Sequence, residues 1–458
     1  MNPYRQYMYS YPHKTAYRSL SGVSLGEYAP LLAGKGHGLY MHIPFCQAKC
    51  GYCNLFSVTG QGKEAIDRYL DAAERQCRQY EETIAPFAPE FSELVIGGGT
   101  PLLLSEGQME RMFSCLKTSF SLEKSGEIVV ETAPNQTEWG KLKVLVREGV
   151  TRVSMGIQSF SEQELTALGR QHGARQAREA LERIKTCGFS CVNVDFIYGI
   201  PGQTIGSLLS SLKEALTFEP DEIFLYPLYI RHGAGLERAG MVLDPEEACQ
   251  QYREASRFLR GEGFRQDSMR RFVRQNMERG FSECGLGTSL ALGCGGRSYL
   301  GKLHFCSPYA ITEKECMKCL EEYENTADFT CIRHGILLSE EEIKRRYVIR
   351  HLFIWPGLDT ERYEKHFKGR AMEDYPLLED WMEKGWLQWH GGPEQKRGNG
   401  KEAGNGRGRF LALTQTGLEL SDYLGPQLIS PQIKRAMEKW EEAHGRAYDI
   451  ISGQPEKL

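Results

Sequence analysis

No apolar run in the 458-residue chain approaches the roughly 18 residues that a bilayer span needs, so no membrane helix is predicted. A basic surplus is also missing. Lysine and arginine number 56 against 60 aspartates and glutamates, a net charge of −4, so nucleic acid is not predicted as a partner. The opening stretch MNPYRQYMYSYPHKTAYRSL has no apolar core of the secretory kind. That predicts a cytoplasmic setting, where the 14 cysteines read as thiols and metal ligands rather than a disulfide framework. No internal repeat is visible.

The apolar material that is present suffices for a large core, with 41% hydrophobic and 25% charged residues. From about 39 to 260, short apolar runs alternate with longer amphipathic ones. The runs 39–43, 93–96, 127–132, 152–158, 191–198 and 222–230 predict strands. The stretches 63–84, 105–119, 138–148, 161–168, 174–187, 204–218 and 245–260 predict helices. Six strand–helix units in series predict an α/β fold: a parallel sheet with right-handed crossovers, a partial (β/α)6 barrel of the TIM type. Chemistry in such sheets gathers at the C-terminal strand ends, and every motif singled out below is predicted to lie there.

The predicted organisation is an N-terminal arm (1–37), the partial barrel (38–262), a less regular extension (263–339) and a small helical, winged-helix-like domain (340–458). The last includes a Trp-rich helix over 376–389. Its stretch 391–409 is glycine-rich and charged, with little to bury, and predicts a mobile loop.

The sharpest motif is YMHIPFCQAKCGYC (40–53), which spaces Cys46, Cys50 and Cys53 as C-x3-C-x2-C after the first strand. A loop of this length can place three thiolates on three corners of an iron–sulfur cube. Such a cluster takes four ligands, leaving one iron for a non-protein ligand. The competing reading is a zinc site with His42 as fourth ligand. Gly97-Gly98-Gly99-Thr100-Pro101 follows the second strand, where missing side chains let backbone approach a ligand. Cys77, Cys115, Cys187, Cys191 and Cys249 read as small buried hydrophobes. Cys306, Cys316, Cys319 and Cys331 include a C-x2-C pair and are candidates for an auxiliary metal site, against incidental thiols. Arg270, Arg271 and Arg274 read as a solvated basic face, with acidic substrate groups as the alternative partner.

The C-x3-C-x2-C spacing with Tyr52 before the last cysteine resembles the radical S-adenosylmethionine (SAM) superfamily. HIPFC, GGGTP, VSMGIQSF (153–160), LGRQH (168–172) and VDFIYGIPGQT (194–204) narrow the resemblance to its oxygen-independent coproporphyrinogen III oxidase-like branch. That branch also holds heme chaperones and class C methylases. The resemblance covers about 38–300 and extends to the C-terminal domain. It implies a [4Fe–4S] cluster on Cys46, Cys50 and Cys53, and one or two SAM molecules. Reductive cleavage of SAM then gives a 5′-deoxyadenosyl radical that abstracts hydrogen from a small-molecule substrate, of which a tetrapyrrole is one candidate. Flavodoxin or ferredoxin is the implied electron donor. Carried over position by position, SAM contacts fall on Tyr40, Tyr52, Gly98, Gly99, Thr100, Glu131, Gln158, Arg170, Asp195 and Tyr229. Two departures stand out. Leu55 occupies the place of a further oxidase cysteine, and 281–299 lacks the chaperones' HN-x-x-YW-type heme motif. The implied alternatives are therefore an oxidoreductase of the oxidase type, a class C-type methylase and a heme-binding carrier. The opening YSYPHKTAYR resembles the oxidase arm that closes over the substrate pocket, against a plain surface strand.

Overall fold

The computed structural model describes residues 4, 8, 10–231, 235–238, 244–275, 287–391, 409–444 and 449–450. The glycine-rich stretch 392–408 and the start of the 281–299 segment lie outside the described residues.

Six strands form where the apolar runs predict them: β1 (His37–Ile43), β2 (Glu90–Gly98), β3 (Ser121–Thr132), β4 (Arg152–Gln158), β5 (Cys191–Tyr198) and β6 (Glu222–Pro227). All pair in parallel in sequence order. Helices α1 (Lys63–Ile84), α2 (Glu106–Ser119), α3 (Trp139–Arg147), α4 (Glu162–Ala167), α5 (Ala174–Cys187), α6 (Ile205–Leu216) and α7 (Pro245–Gly261) make the crossovers. Helix α1 shows why the pattern was readable. Ile66, Tyr69, Leu70, Ala73, Cys77, Tyr80 and Ile84 recur at three- and four-residue spacing and are all buried. Ser105 caps α2, and its hydroxyl accepts from the Gln108 amide.

Residues 263–339 differ from the expectation of irregular structure. Strands β7 (Phe264–Gln266) and β8 (Arg271–Arg274) extend the sheet beyond β6 with antiparallel pairing. On the other side, β9 (Ser289–Leu292) joins β1 in parallel as a seventh parallel strand. It is followed by the antiparallel β10 (Arg297–Leu300), β11 (Leu303–Cys306) and β12 (His334–Leu337). Residues Arg18–Ser19 of the arm pair with β12. Among the described residues the result is one open 13-stranded sheet with edges at Arg18–Ser19 and β7, not a closed barrel. Helix α8 (Glu313–Glu324) packs on α1 and α9 (Glu340–Leu352) follows β12.

The C-terminal region is helical around a small antiparallel sheet of Leu358–Asp359, Phe410–Leu413 and Leu387–His390. The predicted Trp-rich helix over 376–389 is instead a short helix, Leu377–Glu383, followed by the strand Leu387–His390. Lys384-Gly385 breaks it, with Gly385 at φ +70°. The arm is a surface strand only at Arg18–Ser19. Tyr11 and Ala16 enter the C-terminal core with Val348, Leu352, Tyr363 and Trp381, and the Tyr11 hydroxyl accepts from the Ser430 amide at 3.2 Å. Among the described residues, no helix is long and apolar enough to cross a membrane.

Register determines which side chains share a face, because partners alternate in step along paired strands. Tyr40 pairs with Val95 and Ala291, Glu131 with Ser154, Gly156 with Asp195, and Asp195 with Phe224. Ser289 pairs with both Gly38 and Tyr299, placing β10 residues Tyr299 and Arg297 on that same face. It is the inner face, opposite the crossover helices.

Candidate functional site

The thiol loop leaves β1 and folds against the turn after β2. The Gly99 amide donates to the Ile43 carbonyl at 2.8 Å and the Thr100 amide to the Phe45 carbonyl at 2.8 Å. Cys46 Sγ lies 3.7 Å from Thr100 Oγ1. Glycine is required here. A Cβ on Gly99 would stand 2.6 Å from the Phe45 oxygen and 3.0 Å from Cys46 Sγ, and one on Gly98, at φ +120°, would meet the His42 ring at 2.7 Å. Arg170 reaches the loop from beyond α4. Its Nη1 donates to Cys50 Sγ at 3.2 Å and to the Tyr52 hydroxyl at 3.4 Å, and its Nη2 to the Gly156 carbonyl at 2.6 Å. Burial opposes that guanidinium's charge, but Tyr52 and Cys50 beside it raise its pKa overall. Burial, then the Cys50 charge, pushes the Cys53 thiol up to about 12. Burial also raises Cys46.

Carboxylates of the inner face lie beyond the loop. Glu131 accepts from the Gly98 amide at 3.1 Å, tying β3 to the glycine turn, and burial raises its pKa. Asp195 accepts from Asn193 Nδ2 at 2.7 Å, and the same amide donates to Ser154 at 2.6 Å. Burial pushes Asp195 up to about 7, against the Asn193 hydrogen bond and with Glu131's charge assisting. Gln158 is buried with φ +75° at a register shift at the end of β4. A bulged, left-handed non-glycine residue is a local strain that functional sites often hold.

Tyr40, Tyr52, Gly98, Gly99, Thr100, Glu131, Arg170 and Asp195 therefore flank the thiol loop or lie on the inner face, and Gln158, although its register partner is Phe196, reaches that face by its side chain, whose Nε2 would stand 2.7 Å from a Cβ on Gly156. One expectation changes: Asp195 is in mid-strand, with Phe196, Ile197 and Tyr198 still to follow in β5. The Tyr229 hydroxyl donates to Asp422 of the C-terminal region. Asn193, which fixes Asp195, was missed, although its two-residue offset on one strand was a readable signal.

His42 does not suit the zinc alternative. Its Nε2 is bonded to the Phe56 carbonyl at 2.9 Å and its Nδ1 to the Tyr40 hydroxyl at 3.1 Å, and burial lowers its pKa to about 4. Among the described residues, no three His, Cys, Asp or Glu side chains are gathered as a metal cage, the three loop thiols included, so this separates neither reading. The thiol loop fits an iron–sulfur group by its donor chemistry: free thiols within charge–charge range of one another, a guanidinium on one sulfur, and glycines where a cofactor needs room. The auxiliary site is not assembled either. Cys306, Cys319 and Cys331 line a cavity of about 600 Å³ with Cys294, but Cys316 does not. Cys77 and Cys191 are buried as expected, whereas Cys115, Cys187 and Cys249 are only half-buried. Arg270 and Arg271 are not solvated. They are buried and paired with Asp422 and Glu222, and Arg274 donates to the Pro220 carbonyl at 3.1 Å over the Phe264 ring.

A thiol loop, a glycine turn and carboxylates on a parallel sheet describe a radical SAM fold, and residues 40–215 match the family model "Radical SAM superfamily". The chain carries a radical SAM domain, and that family implies a [4Fe–4S] cluster and SAM. Within that class it is homologous to oxygen-independent coproporphyrinogen III oxidase and to heme chaperone HemW. It is 28% identical to the oxidase of Escherichia coli (strain K12) over 409 residues, covering 82% of this chain and 86% of that one. Against the heme chaperone HemW of Lactococcus lactis subsp. lactis (strain IL1403) it is 32% identical over 216 residues, covering 46% and 55%. The chain thus spans about half the length of that chaperone. The solved structure titled "Coproporphyrinogen III oxidase (HemN) from Escherichia coli is a Radical SAM enzyme" shares the fold, with TM-score 0.74, 22% identity, and 95% and 97% coverage.

Proposed function

We propose that this chain is a radical SAM enzyme of the coproporphyrinogen III oxidase type that oxidises a tetrapyrrole-like small molecule. The observation that carries the reading is the thiol loop clasped between the glycine turn and Arg170, at the edge of a face lined by Glu131, Gln158 and Asp195. Match length supports the oxidase type, since homology to the oxidase covers most of both chains.

Cys46, Cys50 and Cys53 would hold the cluster. With it and SAM bound, the pair supplies a 5′-deoxyadenosyl radical that abstracts hydrogen. The chain's own residues position and shield. Arg170 steadies charge on Cys50. The backbone of Gly98 and Gly99 leaves room for the methionine end of SAM. Glu131 and Asp195 accept from ribose hydroxyls or an ammonium. A low-potential flavodoxin or ferredoxin would deliver the electron.

The test is anaerobic reconstitution, with iron and sulfide counted and 5′-deoxyadenosine measured with and without coproporphyrinogen III. Deoxyadenosine formed only with the tetrapyrrole is expected. Wild-type release by Cys50→Ala would refute the site. Homology to heme chaperones favours a second reading, a heme carrier. Stoichiometric heme binding with no deoxyadenosine would select it, whereas two SAM consumed per methylated product would select a methylase.

A further inference from the structure

The stretches VSMGIQSF and VDFIYGIPGQT end in loops that meet at one buried carboxyl group. Glu164 is the third residue of α4 and is 2% exposed. Its Oε2 accepts from the Ser159 hydroxyl at 2.6 Å and from Gln203 Nε2 at 2.9 Å. Both donors are neutral and buried. Ser159 Oγ in turn accepts from the Ser161 amide at 2.9 Å, and the next amide, that of Phe160, donates to Ser211 Oγ at 3.1 Å. Gln203 Nε2 also donates to the Ile197 carbonyl at 3.1 Å, and the Gln203 carbonyl accepts from Gln251 Nε2 at 2.8 Å. One carboxyl oxygen therefore joins the loop after β4 to the loop after β5.

The segments it joins carry three residues of the inner-face site. Gln158 immediately precedes Ser159 and has φ +75°, a conformation that a non-glycine residue keeps only where its surroundings enforce it. Arg170 closes α4, its amide donating at 2.9 Å to the carbonyl of Leu165, the neighbour of Glu164. Asp195 lies two residues before Ile197 in β5. These side chains converge over one glycine. A Cβ on Gly156 would stand 2.7 Å from Gln158 Nε2 and 3.8 Å from Arg170 Nη2, and Gly156 is the register partner of Asp195. Apolar packing behind the loops would hold them together without direction. Hydrogen bonds to a buried carboxyl oxygen have direction, and a satisfied buried network fixes its members in one arrangement.

We infer that Glu164 is a positioning residue for SAM. Acting through Ser159 and Gln203, it sets the turn that presents the Gln158 amide beside Arg170 and Asp195. This rests on the function proposed above, in which those three residues face SAM, and adds a residue that acts only through others.

The test uses the full-length protein, reconstituted anaerobically. SAM affinity is measured by equilibrium dialysis per cluster bound, and the EPR spectrum of the reduced cluster is recorded with and without SAM. Glu164→Ala should raise the Kd for SAM about tenfold and diminish the change that SAM makes in the spectrum. Glu164→Gln, whose carbonyl can accept both hydrogen bonds, should bind SAM within about threefold of wild type. Ser159→Ala is a smaller change that serves if Glu164→Ala does not fold. It should also weaken SAM, and the double variant should be no worse than the worse single one, as one network requires. Glu162→Ala, on the same helix, removes a carboxylate that accepts from the Ala174 amide at 2.8 Å. It should lower Tm and leave SAM affinity unchanged. The inference is overturned if Glu164→Ala and Ser159→Ala melt lower yet bind SAM and shift the spectrum as wild type does, if Glu164→Gln is as weak as Glu164→Ala, or if Glu162→Ala weakens SAM as much. Wild type that binds SAM but forms no deoxyadenosine with coproporphyrinogen III would discard the tetrapyrrole and keep the inference, whereas wild type that binds no SAM would overturn both.

Discussion

At the scale of single residues, the electrostatics of the inner face make a signed prediction. Asp195 is pushed up to about 7 in the fold by burial, against an ordinary unfolded value near 3.9. The folded state therefore binds this proton more tightly than the unfolded state. Stability from this group is full at low pH, is lost as pH rises from about 4 to about 7, and is level above that. Asp195→Asn should flatten that part of the stability curve in ligand-free protein, as read by urea midpoints across pH 4–8. Arg170 makes a second prediction. Its three hydrogen bonds join the cysteine loop to β4, so Arg170→Gln should lower both reconstituted iron content and deoxyadenosine yield. Unchanged iron in that variant would mean the contact to Cys50 is incidental. The thiols themselves were legible from spacing alone. The engagement of Tyr229 was not, because Asp422 is 193 positions away and nothing local in either segment signals the other.

At the scale of elements, turns carry the predictions. Gly99→Ala would set a Cβ against the Phe45 carbonyl, and Gly98→Ala would combine a positive φ with a clash on the His42 ring. Each should cost about 2 kcal/mol or more in stability and displace the loop from the glycine turn, seen as a lowered Tm together with poor cluster reconstitution. A normal iron content in Gly99→Ala would show that the turn does not shape the loop. Most elements were readable. Helices α1, α5 and α7 are long and strongly amphipathic, and the strands β1 to β6 are apolar runs between turn signals. Strands β9 to β12 were not read because each is only four residues long and contains Ser, His, Arg or Gly, with β9 to β11 buried throughout and β12 only at Gly335. Neither alternation nor an apolar run marks them. The break at Gly385 was missed for a related reason, since Trp386 and Trp389 continue an apolar spacing across the turn.

At the scale of the whole molecule, the barrel and the C-terminal region are held by a buried charge. Asp422 accepts from both Arg270 and Tyr229, with the Arg270 and Asp422 side chains 6% and 2% exposed. Removing one partner of such a pair leaves a buried charge uncompensated. Asp422→Asn should therefore destabilise the protein by roughly 3–5 kcal/mol, measured by denaturant unfolding. Tyr229→Phe should lose only about 1–2 kcal/mol and leave SAM affinity intact. A large rise in the Kd for SAM in Tyr229→Phe would show that the tyrosine contacts the cofactor as well as Asp422.

Local order in the chain was enough to determine the strand–helix alternation, the thiol trio and the glycine turn, because hydrophobic period, caps and ligand spacing are all short-range properties. Only the folded sheet decided that its parallel part gains a seventh strand from residues 251 positions further on, that His42 has both ring nitrogens engaged, and that Arg297 and Arg346 face the same ring. Those depend on strand register and on which distant segments share the inner face. A pattern read along the chain carries no record of them.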